Sequence, residues 1–78
     1  MKRITIEVSD GTFAALRELA SACSEADKFR QGFTSHGKLT PARLLAMLAE
    51  DAGMVITRPG SWEGANMAQV FVSHGYEV

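Results

Sequence analysis

The sequence predicts a small α+β domain, mainly helical, in which an opening strand leads into two helices and a C-terminal β-hairpin. Three observations predict it. Residues 2–8 alternate polar and apolar, the period of a half-buried strand. Phe13, Leu16, Leu19, Ala20 and Cys23 recur at spacings of three and four, the period of an amphipathic helix. Thr40 and Pro41 stand before a second apolar stretch; threonine caps, and proline at the first helical position loses an amide hydrogen that had no partner.

In the opening segment Ile4, Ile6 and Val8 share one face of the expected strand, and Arg3, Thr5 and Glu7 share the other. Ser9 or Asp10 then supplies an N-cap oxygen. The first helix is expected from about 11 to 24, with Arg17 and Glu18 on its wet side and an extension to about 30. Residues 24–38 carry mixed charge, two glycines and Phe29 and Phe33, and are read as an inter-helix insert. The second helix is expected from 41 to about 52, with Gly53 as its C-cap. Leu44, Leu45, Met47 and Leu48, with Ala42, Ala46 and Ala49 beside them, make a face wider than one neighbour needs, and a partner subunit would take the surplus. Residues 54–58 read as a second strand, Pro59-Gly60-Ser61 breaks it, and residues 69–73 read as a third. The tail is then a hairpin whose loop holds Trp62; a short helix over 65–71 is the rival reading. Residues 1–53 form the expected domain, with the insert at about 24–38, and residues 54–78 extend it.

At 78 residues the chain is enough for one small domain. A domain this short buries only roughly 60% of its unfolded surface, so self-association is the expected route to stability. One cysteine excludes an internal disulfide framework, and Cys23 reads as a small buried hydrophobe. No apolar stretch approaches the roughly 20 residues that span a bilayer, and the opening residues lack the apolar core of a signal peptide. A cytoplasmic location without membrane contact is expected. A net charge of −1 excludes nucleic-acid binding by bulk charge alone, though not by a few well-placed cations. No paired carboxylates, nucleophile–base pair or phosphate-cradling glycine loop occurs, so no enzymatic activity, cofactor or metal is expected. His36 and His74, each in a Ser-His-Gly triplet, lack an evident third ligand.

Residues 2–20 have a basic pair, an alternating strand, a Ser-Asp cap and apolar helical positions, and Leu39-Thr40-Pro41-Ala42-Arg43-Leu44-Leu45 reads as a second helix start. In this order the chain resembles the ribbon-helix-helix (MetJ/Arc/CopG-like) DNA-binding family, over about 35 of its 78 residues. The resemblance implies a homodimer whose paired first strands enter the major groove of double-stranded DNA. Arg3, Thr5 and Glu7 would then contact bases, and Lys2, Lys38, Thr40 and Arg43 phosphates. It further implies a small transcriptional repressor of plasmid, phage or toxin–antitoxin type. The plain alternatives are a solvated strand face for the first set and simple helix capping for Thr40. Three departures stand beside the resemblance: the long insert, Glu7 and the 25-residue tail.

A second function class is expected as the alternative: a protein-binding inhibitor or antitoxin-like adaptor on the same dimer scaffold, such as a phage- or plasmid-encoded inhibitor of a host nucleic-acid machine. Its contact residues would be Phe29, Phe33, Trp62 or the C-terminal tail.

Overall fold

A computed structural model describes every residue, 1–78. It contains three helices, α1 (Asp10–Phe29), α2 (Pro41–Thr57) and α3 (Trp62–Ser73), and no strand. The α+β expectation and the ribbon-helix-helix resemblance are both overturned. A strand exists only through hydrogen bonds to another strand. The two segments expected to be strands, 54–58 and 69–73, lie almost wholly within α2 and α3, so residues 1–9 have no partner in the chain and carry no regular secondary structure. The C-terminal hairpin is absent for the same reason, and the rival helix occupies its place.

The chain divides into two compact units, Met1–Leu44 and Leu45–Val78, with the division inside α2. In the first unit Ser9 caps α1, its Oγ accepting from the Thr12 amide at 3.1 Å. The face of α1 turned from solvent runs along Leu16, Ala20, Cys23, Ser24 and Asp27, at helical spacing. Ala20 and Leu44 are the buried apolar residues. Phe13 and Leu19, expected in the same stripe, lie beside it and stay about half exposed; the Arg17 guanidinium stands 6.0 Å from the Phe13 ring centroid.

The end of α1 is a Schellman turn. The Gly32 amide donates to the Asp27 carbonyl at 2.9 Å and the Gln31 amide to the Lys28 carbonyl at 3.1 Å. Gln31 takes the left-handed position, φ 54°, where glycine is usual. The connection to α2 is tied back to α1 twice. Thr34 Oγ1 donates to the buried Asp27 carboxylate and accepts from the Gly37 amide at 3.1 Å. Ser24 Oγ donates to the Leu39 carbonyl at 3.1 Å and accepts from its amide at 3.0 Å. Thr40 then caps α2 through the Arg43 amide at 3.2 Å, with Pro41 as the first helical residue.

In the second unit α2 continues through Gly53, which was expected to end it, to Thr57. Gly53 has no left-handed φ, so no C-cap turn forms there. Ser61 instead receives the Gly64 amide on its Oγ at 3.0 Å and starts α3. Trp62 is therefore the first residue of a helix and not part of a hairpin loop. Gly64 lies against the end of α2: a Cβ there would stand 2.6 Å from the Arg58 carbonyl oxygen and 2.7 Å from that of Met54. Gly64, Met67, Ala68 and Phe71 are the covered side of α3, at spacings of three, one and three. A second Schellman turn ends α3, with the Tyr76 amide on the Phe71 carbonyl and Gly75 at φ 90° in the left-handed position.

Candidate nucleic-acid interface

Chain segments shorter than about 40 residues seldom hold a fold without disulfides, metals or association. The second unit is shorter than that, and its one buried residue is Gly64. The first buries two apolar side chains. Cys23 is a free thiol, and no group of three His, Cys, Asp or Glu residues is placed to hold a metal ion. Large apolar side chains are correspondingly exposed: Ile4, Ile6 and Val8 on the N-terminal arm, and Ile56, Trp62, Val70 and Val72 in the second unit.

The expected base-contacting set, Arg3, Thr5 and Glu7, sits with Lys2 on that arm, and all four are exposed. The ribbon that was to give them a common face is missing, so nothing in the chain holds the three side chains on one side. The expected phosphate set is placed differently. Lys38, Thr40 and Arg43 are exposed at the start of α2, and the Thr40 hydroxyl is already engaged as the helix cap.

Sequence reasoning missed a feature beside them. From residue 28 to residue 49 there is no carboxylate, and the cations Lys28, Arg30, Lys38 and Arg43 all fall in that stretch. All four are exposed and belong to the first unit. The Ser24–Leu39 bonds set the backbone next to Lys38 against α1, and Lys28 lies one helical turn beyond Ser24. The end of α1, the connection and the start of α2 thus gather positive charge at one place. The carboxylates just before this stretch are Glu25, exposed, and Asp27, buried under its bond from Thr34. The signal was readable as a run without Asp or Glu; averaging charge over residues 1–53, seven cations against seven anions, hid it.

Phe29 and Phe33, 88% and 78% exposed, project from the same segment. His36 Nδ1 lies 2.7 Å from Ser35 Oγ, and both residues are exposed. No helix is long and apolar enough to cross a membrane. Comparison with known protein families, with curated proteins and with solved structures finds no match.

Proposed function

We propose that the chain is a self-associating, cytoplasmic DNA-binding protein of the small repressor kind, holding duplex phosphates with the cations around the start of α2. The observation that carries this reading is the acid-free stretch 28–49 with its four exposed cations, in a chain whose net charge is −1. Elsewhere the chain carries four Lys/Arg and nine Asp/Glu (eight and nine in total, less the four cations of the stretch). Such segregation concentrates positive potential where an anionic polymer can use it and keeps the remainder repulsive to one. Lys38 and Arg43 contact phosphate beside the α2 amides, and Lys28 and Arg30 extend the track. Lys2 and Arg3 add cations on the arm, where Arg3 can grip guanine through two donors; Thr5 offers a hydroxyl and a methyl, and Glu7 only accepts.

Self-association is proposed from the small buried core of each unit. A dimer would double the cationic set and impose a repeated or palindromic site.

The test is a mobility-shift titration on duplex DNA, including the DNA upstream of the protein's own coding region, at two salt concentrations. Binding that weakens with salt at a slope of about −0.9 per phosphate contact is expected. Absence of a shift at micromolar protein and low salt overturns the reading. The exposed apolar residues of the second unit, Ile56, Trp62, Val70 and Val72, favour a protein-binding adaptor or inhibitor as the second reading, and that is the reading left standing if DNA is not bound.

A further inference from the structure

We propose that the segment from Lys28 to Lys38 is a single-strand site, in which Phe29 and Phe33 stack on unpaired bases while Lys28, Arg30 and Lys38 hold the flanking phosphates. The inference rests on the nucleic-acid reading above and adds to its duplex contact a second form of the polymer, an unpaired strand, and the residues that meet its bases.

Two large aromatic rings are almost fully exposed here, 88% for Phe29 and 78% for Phe33. Their exposure does not come from a loosely held backbone. The Schellman turn fixes residues 30–32, the Phe33 amide donates to the Arg30 carbonyl at 3.0 Å, Thr34 is bonded to buried Asp27, and Leu39 is bonded to Ser24. The rings are thus displayed from a braced scaffold, which lowers the ordering cost of binding.

The neighbours of the rings select the occupant. Within residues 28–38 the two phenylalanines are the only large apolar side chains; three of the others are the cations Lys28, Arg30 and Lys38, and the rest are polar residues or glycine. A protein contact centres on aromatic residues packed among other apolar groups and depleted of lysine. Here Phe29 stands between Lys28 and Arg30, Phe33 falls between Arg30 and Lys38 in the chain, and no carboxylate lies in the segment. Cations alternating with exposed rings suit a polyanion with flat faces, the design by which single strands are bound without strong sequence preference. In a duplex the base faces are already stacked on one another, so the rings find them only after strand separation.

The experiment is a fluorescence-anisotropy titration of the full chain with a labelled oligothymidylate of about 15 nucleotides and with a duplex of equal length. F29A/F33A and F29Y/F33Y are measured alongside, with helix content checked by circular dichroism. Tighter binding of the single strand, weakened about tenfold per ring removed and restored by tyrosine, is the expected result. Equal affinity for the two forms, or unchanged single-strand affinity in F29A/F33A, overturns the stacking inference and leaves the phosphate reading intact. Failure of the wild type to bind either form overturns both. A change in sedimentation mass for F29A/F33A with its single-strand affinity intact also overturns the inference, because the rings would then be a protein contact.

Discussion

Ser24 grips Leu39 by both of its backbone polar groups: its single hydroxyl donates to the Leu39 carbonyl and accepts from the Leu39 amide. One side chain on α1 thereby does for the end of the connection what a paired strand would do, and it fixes where α2 begins. Ser24→Ala leaves both Leu39 groups partly buried and unpaired, with an expected cost of about 1–3 kcal/mol. A lower urea midpoint at unchanged m value is the readout; a midpoint equal to that of the wild type would show that water replaces the serine without loss.

The two Schellman turns permit a stabilising prediction. Gly75 and Gln31 occupy the same left-handed position at the ends of α3 and α1. An L side chain there costs roughly 1–2 kcal/mol, which glycine avoids. Gln31→Gly is therefore expected to raise stability by about 1 kcal/mol, less the entropy that an added glycine gives the unfolded chain. Thermal unfolding at fixed protein concentration tests it, and a lowered midpoint contradicts the account of the turn.

Two glycines of the second unit should respond in opposite ways. At Gly64 a Cβ would meet backbone oxygens at 2.6 and 2.7 Å, atoms that cannot rotate aside. Gly64→Ala is expected to cost about 1–3 kcal/mol by forcing α3 from the end of α2. Gly53 is exposed inside α2 with nothing within 4 Å of its added carbon. Gly53→Ala is expected to gain about 0.5–1 kcal/mol from helix propensity. Paired denaturation curves check the opposite signs.

The same glycines explain what could be read from the sequence and what could not. Both helix starts around which the first unit is built were legible, because Ser9 and Thr40-Pro41 cap by local chemistry alone. Gly53 was misleading: a glycine ends a helix only where the backbone turns left-handed, and here it stays helical. Val55, Ile56 and Thr57 then look like strand residues, yet in a helix each loses only about half a kcal/mol or so relative to alanine. Continued backbone bonding and the partial burial of Met54 and Val55 outweigh that. For α3 the signal was present in the Ser61 cap and in the spacing of Gly64, Met67, Ala68 and Phe71. The β-branched pair Val70 and Val72 masked it, and both are exposed. At the candidate site Lys38 and Arg43 were named through the ribbon-helix-helix resemblance that the fold overturns, whereas Lys28 and Arg30 stood in the acid-free run and were joined to the start of α2 once the Ser24–Leu39 bonds showed that the connection returns to α1.

The charge account makes its own prediction for duplex DNA. Lys38→Gln and Arg43→Gln, each exposed and outside the buried set, are expected to leave the unfolding midpoint within about 0.5 kcal/mol of the wild type. Each should flatten the dependence of log affinity on log salt by about 0.9. Glu50→Gln, at the far edge of the acid-free stretch, removes a negative charge and should not flatten the slope. Equal slopes for wild type, K38Q and R43Q would remove both cations from the interface.

Self-association can be tested on the arm. Ile4 and Ile6 are 83% and 59% exposed in the single chain. A carboxylate at either position therefore costs the isolated chain little, since surface changes away from packed features usually fall within about 0.5 kcal/mol. In an assembly that covers these side chains, the same carboxylate would be a buried charge without a partner, which is strongly disfavoured. Ile4→Asp and Ile6→Asp are thus expected to lower the sedimentation mass while leaving the helical circular dichroism of dilute protein unchanged. Loss of helix at concentrations where the wild type is also dissociated would mean that the arm packs on its own chain. An unaltered mass at high concentration would place the association surface on the helices instead, with Ile56, Val70 and Val72 the residues to change next.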